Sequence, residues 1–130
     1  MNLKAIRRDL GVLQDYDVVL FGSYVRDEAR PGSDIDVAVI THSRDQDQNY
    51  TILQGFLGIA PQLYDIKVYE LLPLKIQVAI ADEFVPVFGD ALDLSEYFYS
   101  YRKLWDDCKA RVFANMFHSY KEKLQALQRI

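Results

Sequence analysis

Leu3, Ile6, Leu10 and Leu13 follow one another at steps of three and four residues, the spacing of one apolar face of an α-helix. Gly11 interrupts that face, so the helix is predicted to weaken in its second half. Residues 18–21 form a short apolar run stopped by Gly22, which reads as a buried strand closed by a turn. Residues 34–40 are rich in β-branched side chains and follow Pro31-Gly32, so they read as a second strand. Residues 50–60 look helical up to Pro61, with Gly55 and Gly58 as weak points. Residues 63–69 alternate, with Ile66 and Val68 on one face and Asp65 and Lys67 on the other, the pattern of a third strand. Pro73 suits the first position of a helix running to about Asp82. Residues 84–88 read as a fourth strand, which Pro86 confines to a sheet edge. From Ser95 to Ile130 there is neither Gly nor Pro, and a long helix is predicted. The sum is an α/β mixture.

Composition narrows the classes. A chain of 130 residues, half of them hydrophobic and 26% charged, suits one globular domain. Cys108 is the only cysteine, which excludes a disulfide scaffold. His42 and His118 are too few to build a Cys/His zinc site with it. Residues 1–10 carry Lys4, Arg7 and Arg8 without the apolar run of a signal peptide, and no stretch of 18 apolar residues occurs. A cytoplasmic protein without a membrane segment is therefore expected. The net charge of -4 argues against a purely electrostatic nucleic-acid binder, and no direct nucleic-acid binding is expected.

The chemistry concentrates in Phe21-Gly22-Ser23-Tyr24-Val25-Arg26 and Gly32-Ser33-Asp34-Ile35-Asp36-Val37. A glycine closing a strand lets another group approach the backbone, and amides beyond it can face an anion. Ser23 adds a hydroxyl, and Arg26 adds a fork suited to phosphate oxygens. Asp34 and Asp36 lie two apart on a strand, so both carboxylates project from one face. Like charges held side by side call for a cation between them, and hard oxygen donors suit magnesium or manganese. A phosphate cradle facing a carboxylate pair is equipment for phosphoryl or nucleotidyl transfer. Gly22 also serves as a plain turn and Ser23 as a plain helix cap, but Asp36 inside an apolar strand needs a partner.

Gly22-Ser23, ten residues, and Asp34-x-Asp36 resemble the G-S-x10-D-x-D signature of the minimal nucleotidyltransferase (MNT) family, within the DNA polymerase β-like nucleotidyltransferase superfamily. The resemblance extends over about residues 1–90 and includes Arg26, Gly32-Ser33 and a third carboxylate, Asp65, on a later strand. It implies an α/β (α+β) fold with a small mixed β-sheet and packed helices. Residues 1–92 would form the nucleotidyltransferase core, and residues 93–130 a long helical extension on the same domain. It implies Asp34, Asp36 and Asp65 as catalytic and metal-binding residues for two magnesium ions. Gly22, Ser23, Arg26 and Ser33 would bind the nucleoside triphosphate, with ATP the expected donor. The implied reaction is transfer of AMP to a hydroxyl, in many small members a tyrosine of a HEPN-type toxin that the protein neutralises. A module that neutralises a toxin by contact alone is the alternative, and transfer to a small molecule such as an antibiotic a weaker one. Lys67, pointing the same way as Asp65, would either bind phosphate or replace metal charge.

In the tail, Leu94, Tyr97, Phe98, Tyr101, Leu104, Trp105 and Cys108 form an apolar stripe at helical spacing, continued by Phe113, Met116 and Phe117. Packing on the core is expected, with its exposed edge serving a homodimer or a partner. Arg111, His118 and Tyr120 match the Arg-x4-6-His-x-Tyr spacing of HEPN proteins, which is read as accidental because 35 residues cannot form that helical bundle. His42 is expected to be an exposed loop residue.

Overall fold

The structure, a computed structural model, describes residues 2–26 and 34–128, with the side chains of the last helix described continuously to Arg111. Arg30, Gly32 and Ser33 lie outside the described residues. So do the side chains of Phe113, Met116, Phe117, His118 and Tyr120.

Helix α1 spans Leu3–Asp9 and is capped by the Asn2 side chain, which accepts from the Ala5 amide at 3.2 Å. As the position of Gly11 foretold, the apolar face continues only as a 3-10 turn over Gly11–Leu13, where Leu13 is fully buried. Strand β1 (Asp17–Phe21) runs into a second 3-10 turn, Gly22–Tyr24. Strand β2 covers Ile35–Ile40, helix α2 Gln46–Gly55 and strand β3 Tyr64–Val68. Helix α3 (Leu74–Asp82), strand β4 (Val85–Phe88) and helix α4 (Ala91–Gln128) complete the chain.

The start of α2 corrects the sequence expectation by four residues. Asp45 caps the helix by accepting from the Gln48 amide at 3.2 Å. The buried Asn49 then ties the first turn to Thr41, Ser43 and Gln46. Polar capping fixes the start of this helix, and Gly55, one of the two weak points in the expected span of residues 50–60, ends it five residues early.

The four strands form one mixed sheet in the order β3-β2-β1-β4. β1 is antiparallel to both β2 and β4, and β2 is parallel to β3. Pro86 sits on β4 at the sheet edge, as its missing N–H requires. Val18, Leu20, Ile35, Val37, Val39, Tyr64 and Val68 face one core, which α1 covers with Ile6 and Leu10 and the end of α2 with Phe56. Val19, Phe21, Ala38, Ile40 and Tyr69 face the other, under α3 and α4.

In α4, Leu94 and Phe98 are fully buried, and Tyr97, Tyr101, Trp105 and Cys108 are half-buried. Leu104 turns to solvent at 51% exposure, against its place in the predicted stripe, because the stripe is wider than the surface α3 and the sheet offer. An ion pair between Arg102 and Asp82 joins α4 to α3. No helix among the described residues is long and apolar enough to cross a membrane.

Candidate active site

The carboxylates of the motif stand at the end of the sheet where β1 finishes and β2 and β3 begin. Asp36 is paired in register with Phe21 on one side and with Asp65 on the other. Directly paired residues project from the same face of a sheet, so Asp36 and Asp65 lie side by side on the face that α3 and α4 cover further along. Asp34, immediately before β2, is exposed.

Gly22 follows Phe21, and its backbone is left-handed at φ 80°. A Cβ added there would lie 2.4 Å from Asp36 Oδ2, so the carboxylate occupies the space a side chain would fill. The glycine is thus required twice, by conformation and by close approach. The chain turns at once, with the amides of Val25 and Arg26 both donating to the Gly22 carbonyl at 3.2 Å. This turn holds Ser23, half-buried, and leads into the exposed Arg26.

Burial raises the Asp36 carboxyl above its ordinary value. The Lys67 ammonium opposes that shift, Asp65 and Asp34 add to it by like-charge repulsion, and Arg26 opposes it. Lys67 also forms an ion pair with Asp65, Nζ to Oδ2 at 3.4 Å, with both side chains well exposed.

Asp34, Asp36 and Asp65 offer only hard oxygen donors, and the crowded charge on Asp36 is what a divalent cation would relieve. The donor chemistry therefore fits magnesium or manganese. The three are not gathered into a finished cage: among the described residues no group of three or more His, Cys, Asp or Glu is arranged to hold a metal ion. Lys67 instead pairs with Asp65, the third carboxylate of the set.

Of the residues singled out in the sequence, the fold brings together Gly22, Asp36 and Asp65. Asp34 and Arg26 are close enough to act on Asp36 through charge. A cleft of about 350 Å³ opens beside Asp65 between the end of α2 and β3, lined by Leu53, Phe56, Leu57 and Tyr64 among others.

Sequence reasoning missed a second polar cluster at the opposite end of the sheet. Glu70, 6% exposed, accepts from the amides of Thr41 at 3.1 Å and His42 at 2.9 Å and from the Tyr97 hydroxyl at 2.6 Å. Burial and the bond to Glu70 push the Tyr97 hydroxyl far above the usual tyrosine range. His42 is exposed as expected but engaged. Its backbone is left-handed at φ 59°, and its Nε2 lies 2.6 Å from Asp17 Oδ2. The available signal was an acidic residue inside the apolar run Tyr69-Glu70-Leu71-Leu72.

Comparison with known proteins gives the family and the fold. The chain matches the nucleotidyltransferase domain family over residues 1–87. It is 39% identical over 114 residues, 88% of each chain, to a Methanocaldococcus jannaschii protein named as a candidate protein adenylyltransferase. A crystal structure of a toxin–antitoxin with AMP-PNP contains a chain similar in fold, with TM-score 0.65 and 19% identity over 89% of this chain and 96% of that one. Another similar chain comes from a complex of a tri-AMPylated Shewanella oneidensis HEPN toxin with its MNT antitoxin, at TM-score 0.61 and 15% identity over 88% and 96% of the two chains. With the family matched over residues 1–87 and a relative 39% identical over 88% of the chain, this chain belongs to the nucleotidyltransferase domain family and has the fold of the MNT antitoxins.

Proposed function

We propose that the protein transfers AMP from ATP to a hydroxyl of a partner protein, a tyrosine of a HEPN-type toxin, and thereby acts as an antitoxin. The observation that carries this reading is the seat of the Asp36 carboxylate against the Cα of Gly22, in register with Asp65. The Methanocaldococcus relative supports the class of acceptor, and the toxin complexes among the similar structures support the partner.

In this reading Asp34 and Asp36 would hold magnesium, and Asp65 would help hold a second ion. Bound there, magnesium would neutralise the triphosphate and stabilise charge on the leaving pyrophosphate. Ser23, the amides of its turn and Arg26 bind the triphosphate, and Gly22, with no side chain, leaves room for the Asp36 carboxylate beside them. Ser33 belongs to the same set by the motif alone. Asp65 orients the attacking hydroxyl and accepts its proton as the new bond to the α-phosphorus forms in line with the departing pyrophosphate.

A second reading, neutralisation by contact without catalysis, is favoured by the Lys67–Asp65 ion pair, which occupies the third carboxylate. One experiment separates the two. Calorimetry with Mg-ATP should give metal-dependent binding to the wild type and none to Asp34→Asn/Asp36→Asn. Label from α-labelled ATP should then pass to a purified HEPN protein, and not to that protein with its acceptor tyrosine changed to phenylalanine. ATP binding that ignores both magnesium and the double substitution would overturn the metal-site reading. Neutralisation by the double variant as strong as by wild type would favour contact alone.

A further inference from the structure

Lys67 stands two residues beyond Asp65 on β3, and its register partner on β2 is Ala38. Across the strand pair it therefore faces a methyl group, with no carboxylate of its own. Its ammonium turns to Asp65 Oδ2 at 3.4 Å and acts through charge on Asp36. The two carboxylates it serves are those a divalent ion would need. The Lys67 and Asp65 side chains are 43% and 44% exposed, so the contact is weakly held and exchangeable.

The sign of the charge on Lys67 discriminates between a bare metal ion and a metal bound to nucleotide. A free divalent cation approaching Asp36 and Asp65 meets an ammonium already there and is repelled. A metal–triphosphate complex carries net negative charge, and the same ammonium attracts it. An ammonium released from Asp65 also brings three donors to phosphate oxygens.

We propose that Lys67 is a tethered counter-cation that makes metal loading depend on nucleotide: it opposes a free divalent ion at Asp36 and Asp65, and binds phosphate once it leaves Asp65. This rests on the nucleotidyltransferase reading of the site. Lys67 thereby acts on metal loading through Asp65 and on the nucleotide as a phosphate-binding group.

The test compares the full-length wild type with Lys67→Met, Lys67→Gln and Lys67→Arg. Free Mn2+ binding is followed by electron paramagnetic resonance, and binding of Mn2+ with AMP-PNP by calorimetry. Both neutral variants should bind Mn2+ alone about three- to fivefold more tightly and the Mn2+–AMP-PNP complex weaker by a similar factor, the scale of a half-exposed charge pair. The arginine variant should stay close to wild type in both. The opposite signs are the signature, since a merely structural ion pair would move both affinities the same way or neither. Either of those results overturns the proposal. Wild-type protein that shows no metal-dependent AMP-PNP binding would instead overturn the nucleotidyltransferase reading, and this inference with it.

Discussion

Tyr97 donates its hydroxyl proton to Glu70 Oε2 over 2.6 Å, and this bond keys the long α4 to the sheet. Glu70 lies just past the end of β3, and its carboxylate also holds the loop after β2 through two amides. One buried carboxylate thus joins three parts of the chain, and three donors offset its burial cost. Tyr97→Phe should lower stability by about 1.5–3 kcal/mol, the scale of a hydrogen bond to a charged group. Glu70→Ala should cost more, because two amides are left without an acceptor. Urea unfolding measures both, and a midpoint for Tyr97→Phe equal to wild type would remove this bond from the account of how α4 is held.

Gly22→Ala should be costly although it adds a single methyl group. The new Cβ would overlap Asp36 Oδ2, and an alanine at φ 80° is strained in any case. A loss of about 1–3 kcal/mol is expected. Adding Asp36→Ala should recover the steric share and leave the conformational share, so the two substitutions should be non-additive in a double-mutant cycle. Additive costs would mean that Gly22 and Asp36 do not touch.

The raised Asp36 carboxyl fixes the sign of a pH effect. Its folded value lies above the unfolded one of 3.8, so ionising it in the folded state costs stability. The cost is absent below the unfolded value, grows as pH rises through the folded value, and is complete above it. Asp36→Asn should therefore be as stable as wild type or more stable at neutral pH, with the difference shrinking toward pH 3. A variant less stable at pH 7 than at pH 3, relative to wild type, would reverse the assigned direction.

Asp65 should matter for transfer more than for binding. If it acts on the hydroxyl being activated, its contribution arises mainly in the transition state. Asp65→Asn should keep Mg-ATP affinity within a few-fold and reduce AMP transfer about a hundredfold or more. Single-turnover transfer of label measures this, and an unchanged rate would assign proton acceptance to another group.

Truncation after Asp93 should unfold or aggregate the protein. Leu94 and Phe98 are fully buried against Ile80, Tyr69 and the sheet face, and each contributes roughly 1.5–3 kcal/mol. Their removal also takes Tyr97 from Glu70. Light scattering and circular dichroism check the outcome, and a monodisperse product with an unchanged melting temperature would show the helix to be an appendage.

The residues themselves determined the local features. Two-residue alternation put Asp65 and Lys67 on one face of β3 and Ile66 on the other, and the structure agrees. Gly11 ended the first helix, and Pro86 sent its strand to the edge. Gly22-Ser23 and Asp34-x-Asp36 drew attention to the end of the sheet where Gly22, Asp36 and Asp65 meet. Each of these features arises from backbone geometry within a few residues.

Tertiary structure decided what depends on register and distance. Parallel pairing of β2 with β3 brings Asp36 beside Asp65, 29 positions along the chain, and a slip of one residue would turn Asp65 to the other face. Seating of the Gly22 Cα on Asp36 depends on the antiparallel pairing of Phe21 with Asp36. The bond from Tyr97 to Glu70 spans 27 positions. No local pattern encodes such contacts, because each arises from how whole elements pack once both faces of the sheet are covered.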